Sequence, residues 1–400
     1  MIRPAHRLNG ITSYYFARKL AEIDRMNNDG QASVINLGIG SPDLPPHPSV
    51  TETLNMSSVG KDAHKYQPYK GTPELRNAFS QWYFRHFGVK MDPNEQILPL
   101  IGSKEGVMHI SMTFLDPGDE VLVPDPGYPS YSVCTRLAGG IPVTMPLMEN
   151  LGWKPDLKAL AKHDLSRVKL MWVNYPNMPT GARADHDFFN DLVAFAAENN
   201  ILICHDNPYA FLLTDEPISI FNAEGADKQA LELTSLSKCY NMAGWRVGAI
   251  AGQKSYIDAV MTFKSNMDSG MFRPVQDAAV VALGLGDDWI RNLNSTYSHR
   301  KEAAMAIFDE LGLTCNPNGA GIFVWGKITD PQEDGESLSE RLLHSSRVFI
   351  TPGHVFGSMG ERYLRISLCS PVADMEAALY RIRTGFRSQD PMVSDIISKE

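Results

Sequence analysis

From residue 97 onward the chain repeats one rhythm, a short apolar run followed by a stretch with helical spacing and then another apolar run. Seven of the runs read as strands, at 97–101, 120–124, 141–146, 168–174, 201–205, 231–235 and 247–251. Val168-Lys169-Leu170-Met171-Trp172-Val173 and Ile201-Leu202-Ile203-Cys204 are nearly continuous in apolar residues rather than alternating. Strands of that kind suit a sheet covered on both faces by helices. The rhythm therefore predicts an α/β layered fold. In such sheets ligands bind beyond the carboxyl ends of the strands, which makes the residues after each run the informative ones.

Those residues are chemically distinctive. Gly102-Ser103-Lys104-Glu105-Gly106 follows the first strand and opens a helix whose free amides suit a phosphate. Asp125-Pro126-Gly127-Tyr128-Pro129-Ser130-Tyr131 follows the second and offers an aromatic ring to a planar ligand. Asn174 to Gly181 (NYPNMPTG) is a proline-stiffened turn, and His205-Asp206-Asn207-Pro208-Tyr209 supplies a carboxylate and a phenol. After the sixth strand comes SLSKCYNMAGWRVG (235–248), which sets Lys238 beside the hydroxyls of Ser235 and Ser237 with Arg246 eight residues on. A lysine on a short connection between buried strands loses solvation, which favours the neutral, nucleophilic amine. Arginine is suited to gripping a phosphate or a carboxylate. Together they suggest an amine that forms a covalent imine with a phosphorylated carbonyl cofactor. Read alone, each motif also has a plain alternative: a surface lysine, a structural ion pair, a loop, a helix cap. Five such sites at successive strand ends are harder to explain that way.

The flanks organise the rest. Residues 12–29 place Tyr15, Leu20, Ile23 and Met26 at helical spacing, an amphipathic arm stopped at Asn28-Asp29-Gly30. Residues 33–37 read as a short strand before Gly38-Ile39-Gly40, and HKYQPYKG (64–71) is a polar, aromatic loop. Thr72-Pro73-Glu74-Leu75 begins a helix carrying Phe79, Trp82 and Tyr83. A long helix over 288–311 and short strands at 322–325, 347–350 and 363–368 predict a smaller α+β domain, with a loose tail over the last ten residues. The expected division is an arm with part of the small domain (1–47), a large domain (48–287) and the small domain (288–400).

Composition narrows the function. With 43% hydrophobic and 21% charged residues, a net charge of −9 and no basic block, the chain is expected to bind no nucleic acid. Five widely spaced cysteines without metal-site spacing, no signal-like amino terminus and no long apolar run fit a cytoplasmic protein that binds no metal and enters no membrane. A dinucleotide enzyme is disfavoured, since neither GxGxxG nor a P-loop follows the first strand.

The whole pattern, nearly end to end, resembles the class I/II aminotransferases of fold type I, which use pyridoxal 5′-phosphate. The resemblance implies a large domain with a seven-stranded, mostly parallel sheet between helices, a smaller α+β domain, and a homodimer with shared active sites. It implies that Lys238 carries the cofactor and later moves the substrate proton, while Asp206 keeps the pyridine nitrogen protonated. Tyr209 and Asn177 match positions that meet the cofactor's phenolic oxygen, and Tyr128 matches the ring that stacks on it. Ser103, Lys104, Ser235, Ser237 and Arg246 match the phosphate cup, with Tyr66 reaching the partner subunit's phosphate and Ser269 and Gly270 close to the partner's site. Arg365, in YLRISL, matches the arginine that grips the substrate α-carboxylate, with Gly40 and Asn177 nearby. The variants GSKEG, HKYQPYKG and PGYPSY are most similar to the alanine and LL-diaminopimelate aminotransferase branch. Met178 departs from the class pattern. The implied reaction moves an amino group between an α-amino acid and a 2-oxo acid in a ping-pong cycle, with glutamate and 2-oxoglutarate as one pair. The Lys104 side chain is a candidate reader of a distal carboxylate. A carbon–sulfur lyase of the same fold would use the same lysine, aspartate and arginine. A regulator built on the fold is the remote alternative, and a DNA-binding segment at the amino end is not expected.

Overall fold

The computed structural model describes residues 2–11 and 15–387. Two-residue β1 (Ile35–Asn36) precedes the main sheet, which contains β2 (Ile97–Leu100), β3 (Glu120–Asp125), β4 (Ile141–Met148), β5 (Lys154–Pro155), β6 (Val168–Val173), β7 (Leu202–Asp206), β8 (Ala230–Ser235) and β9 (Gly248–Gly252). Their order across the sheet is β2-β9-β8-β7-β6-β3-β4-β5. The neighbours from β8 to β4 run parallel, whereas β9 is antiparallel to both β8 and β2. All seven expected strands are present. The sheet has eight rather than seven, because Lys154–Pro155 pairs antiparallel with the end of β4. Two residues at a sheet edge are too few to generate a periodicity, which is why the sequence did not announce them.

The continuous apolar runs have the expected cause. On β6, Met171 and Val173 pack into a core with Phe188, Phe189 and Leu192 of the helix His186–Glu198. The alternate residues Leu170 and Trp172 pack on the opposite face with Val107 and Ile110 of the helix Ser103–Phe114. Both faces are therefore dry, and each fully buried large side chain contributes about 1.5–3 kcal/mol. Leu231-Glu232-Leu233-Thr234 on β8 alternates apolar and polar residues in sequence, yet all six residues of the strand are buried. Glu232 explains the misleading polar position: it is completely buried. Its carboxylate accepts hydrogen bonds from Ser219 Oγ at 2.9 Å and Ile220 N at 3.0 Å and faces His205 Nδ1 at 2.8 Å.

A second sheet holds β10 (Leu313–Cys315), β11 (Phe323–Ile328), β13 (Thr351–Pro352) and β14 (Tyr363–Ser367) in the order β10-β11-β14-β13, with β12 (Val348–Phe349) paired to β1. The long helix spans Asp287–Glu310 and crosses to this sheet. Its Arg300 holds Asp43 through two hydrogen bonds of 2.6 and 2.8 Å, tying the segment after β1 to the helix. The amphipathic arm is a helix at Tyr15–Asn27. Positions 12–14 of the expected arm and the expected tail lie outside the described residues. Among the described residues no helix is long and apolar enough to cross a membrane.

Gly102 joins β2 to the helix that follows. Its φ is +83°, and a Cβ placed there would lie 2.1 Å from Arg246 Nη2. Gly102→Ala is therefore expected to lower the thermal unfolding midpoint and to weaken anion binding at the same helix start, through a backbone penalty of about 1–3 kcal/mol plus displacement of Arg246. An unchanged midpoint in a thermal scan with unchanged phosphate affinity would contradict this reading of the turn.

Candidate active site

The carboxyl ends of β2, β3, β6, β7 and β8 open onto one cavity of about 510 Å³, which the helix Tyr15–Asn27 borders from the other side. Of the residues singled out in the sequence, Gly40, Ser103, Lys104, Tyr128, Asp206, Tyr209, Ser235, Ser237, Lys238, Arg246 and Arg365 line it.

Lys238 lies in the short helix Leu236–Cys239, capped by the Ser235 hydroxyl, which accepts from Ser237 N. Its Nζ donates to the Gly40 carbonyl. Burial holds the amine below the usual lysine value, and the nearby Arg365 and Arg246 charges act in the same direction. Asp206 closes β7 and is 5% exposed. Its Oδ2 accepts from the Tyr131 hydroxyl at 2.9 Å, while Oδ1 is buried with no hydrogen-bond partner. Burial pushes the carboxyl up to about 6, against the opposing effects of the Tyr131 hydrogen bond and the His205 charge.

One end of the cavity is built for an anion. The first amides of the helix Ser103–Phe114 have no partner within the helix. Arg246 packs over Gly102, donates to the Ala243 carbonyl at 2.8 Å and reaches Ser237 Oγ at 3.5 Å. Gly248, opposite Ser235 in the β8–β9 pairing, lets the strand approach this turn, since a Cβ there would lie 3.0 Å from Ser103 N. Lys104 is exposed at the rim. At the other end stands Arg365 on β14, buried, donating to the Gly38 carbonyl at 2.6 Å. Its guanidinium carbon lies 4.0 Å from the centre of the Phe323 ring, 4.5 Å from Phe356 and 5.5 Å from Phe16.

Two expected residues do not line this chain's cavity, and of these Tyr66 was expected at the partner subunit's site. Asn177 is not among the residues lining the cavity: its amide donates to the Asn174 carbonyl and its oxygen accepts from Thr180, so its hydrogen bonds close the turn. Met178 lines the cavity instead, with Sδ 3.4 Å from Arg365 Nη1. Tyr66 is 91% exposed on the surface, in a loop that packs against Ser269–Phe272. A Cβ on Gly270 would lie 2.8 Å from Gln67 O, and His64 stacks on Phe272 with ring centres 5.8 Å apart.

Residues 32–382 match the model of the family described as aminotransferase class I and II. The chain belongs to the class I and II aminotransferases. Among its curated relatives, an LL-diaminopimelate aminotransferase of Desulforudis audaxviator is 40% identical over 95% of this chain and 97% of its own length. One of Dehalococcoides mccartyi is 38% identical over 96% and 98%. The substrate-bound structure of BacF from Bacillus subtilis superposes with a TM-score of 0.91 at 35% identity, covering 96% of this chain and 98% of that one. The chain is thus a pyridoxal-phosphate-dependent aminotransferase, and the relatives favour this over the lyase alternative.

The aminotransferase's cavity fits that cofactor. The buried Asp206 Oδ1 calls for a donor, which a protonated ring nitrogen provides, and the anion end provides donors for a phosphate. The sequence assigned no role at the site to Met178, Phe16, Phe323 or Phe356 and did not pair Tyr131 with Asp206. Tyr131 was visible in PGYPSY, but which of its two tyrosines faces Asp206 depends on the helix start at Ser130.

In the cofactor-free enzyme Asp206 retains a proton at pH values where the unfolded carboxyl, near 3.8, has lost it. Its contribution to stability falls as pH rises from about 4 through about 6, and a shift of that size corresponds to about 3 kcal/mol. Asp206→Asn without cofactor should unfold at a higher temperature than wild type near pH 7, with the gap closing toward pH 4. A gap independent of pH would contradict the burial argument.

Proposed function

We propose that Lys238 anchors pyridoxal phosphate and then serves as the base that moves the substrate's Cα proton, with the cofactor held between Asp206 and the Ser103–Arg246 end. The single observation that carries this reading is the buried Asp206 carboxylate with one oxygen unsatisfied, in the same cavity as a lysine whose burial favours its neutral form.

The roles follow from the chemistry of the side chains. Asp206 keeps the pyridine nitrogen protonated, and Tyr131 orients that carboxylate. Tyr128 offers its ring to one face of the cofactor, and the Tyr209 hydroxyl donates to the phenolic oxygen. The amides of Ser103 and Lys104, the hydroxyls of Ser235 and Ser237, and Arg246 receive the phosphate. Asn177 donates one amide hydrogen to the Asn174 carbonyl, and its second is proposed to meet the cofactor's phenolic oxygen beside Tyr209. The bound cofactor supplies an electron sink for the charge left at Cα when its proton departs. Arg365 grips the α-carboxylate of the incoming amino acid beside the Gly40 backbone, and so presents the Cα–H bond to Lys238. The freed Lys238 amine takes that proton and returns it. A second oxo acid runs the cycle in reverse.

Glutamate and 2-oxoglutarate are proposed as one substrate pair, with the exposed Lys104 ammonium reading the distal carboxylate. The protein is proposed to work in the cytoplasm as a homodimer, with Tyr66 and the segment at Ser269–Gly270 facing the partner's site. The exposed Tyr66, Met267 and Phe272, at 91%, 52% and 46%, support an association surface there.

Arg365→Lys keeps the charge but loses the forked donor geometry. It is expected to raise KM for both amino and oxo acids by roughly 10- to 100-fold, the loss of one charge-assisted hydrogen bond. The absorbance of the bound cofactor should not change. Unaltered KM values in a steady-state assay would overturn the assignment.

A further inference from the structure

The two ends of the cavity differ in polarity. Around Arg365 the walls are Phe16, Leu20, Ile39, Met178, Phe323 and Phe356. Phe323 is fixed close to the reacting position: a Cβ on Gly40 would lie 2.4 Å from its Cζ, and the Gly40 carbonyl is the one that accepts from Lys238. Met178 places a thioether beside the guanidinium. An amino acid held by its carboxylate at Arg365, with Cα within reach of Lys238, has phenyl rings, aliphatic groups and sulfur along the walls open to its side chain, with Lys104 at the rim for a distal carboxylate such as that of glutamate. The only carboxylate among the described residues lining the cavity is Asp206, which the reading above gives to the ring nitrogen. A distal ammonium on the substrate finds no carboxylate from this chain at that end, and moving an unpaired charge against apolar walls is unfavourable.

We propose that the enzyme's second substrate pair, beside glutamate and 2-oxoglutarate, has a large apolar side chain, aromatic or long aliphatic, without a distal charge. The inference rests on the proposed roles of Lys238 and Arg365. A phenyl or isobutyl group gains by leaving water for these walls, and phenyl rings gain further by edge and offset contacts with Phe16, Phe323 and Phe356. The substrate named for the curated relatives, LL-diaminopimelate, carries a distal carboxylate that Lys104 would read as it reads that of glutamate, but also a distal ammonium for which the described lining residues provide no carboxylate besides Asp206. This chain's own walls favour a different molecule.

The test uses purified holoenzyme, following the bound cofactor's absorbance in single turnovers and then steady-state kinetics with 2-oxoglutarate as acceptor. The donors are phenylalanine, leucine, methionine, alanine, lysine, LL-diaminopimelate and glutamate. At least one of phenylalanine, leucine and methionine should exceed both LL-diaminopimelate and alanine in kcat/KM by at least tenfold. LL-diaminopimelate equal to or better than all three would overturn the proposal. Leu20 is 38% exposed, so a charge is tolerated there. Leu20→Lys should lower the ratio of phenylalanine to glutamate kcat/KM at least tenfold, and an unchanged ratio would count against the apolar wall. If glutamate converts the bound cofactor while the apolar donors do not, this inference alone falls. If glutamate also fails, the roles of Lys238 and Arg365 fall with it.

Discussion

A carboxylate buried at the end of a parallel strand is the constraint from which the rest of the site follows. Asp206 gives one oxygen to Tyr131 and leaves the other without a partner, in a position where water is excluded. Such a group costs stability unless something supplies a donor. The parallel run from β4 to β8 delivers the complement, because it brings the ends of β3, β6, β7 and β8 to the same side. Glu232 and His205 stiffen the layer beneath: the imidazole lies 2.8 Å from Glu232 on the neighbouring strand and 3.1 Å from the Tyr175 carbonyl in the turn after β6. The strand carrying Asp206 is thereby fixed against its neighbours.

Polarity divides the cavity along its length. Hydroxyls, helix amides and Arg246 gather where an anion is needed, and the aromatic wall gathers around Arg365. The arginine stands among three rings at 4.0–5.5 Å, which hold the guanidinium by cation–π attraction and restrict its access to water. A carboxylate arriving there meets a cation whose field is only weakly screened.

The main sheet was legible in the sequence because its central strands, such as β6 and β7, are buried on both faces, so their apolar runs stand out without alternation. Residues such as Leu170 to Val173 could be read directly. The edge strand Lys154–Pro155 could not, being too short for any pattern. The polar ligands at strand ends were legible as residue types at fixed places, since turns hold them within a few residues of the strand. Side-chain direction inside a turn was not. Asn177 and Met178 are adjacent, and the hydrogen bonds of Asn177 to Asn174 and Thr180 decide which of the two faces the cavity. The aromatic wall was invisible for another reason: Phe16, Phe323 and Phe356 are far apart in the chain and meet only when the arm helix, the second sheet and the segment after β13 come together.

The account turns on one covalent position. Borohydride reduction of the holoenzyme, followed by peptide mapping, fixes the cofactor to whichever lysine holds it. The expected result is cofactor mass on the peptide containing Lys238 and on no other. Cofactor mass on Lys104 or any other lysine, with the Lys238 peptide unmodified, would contradict the account.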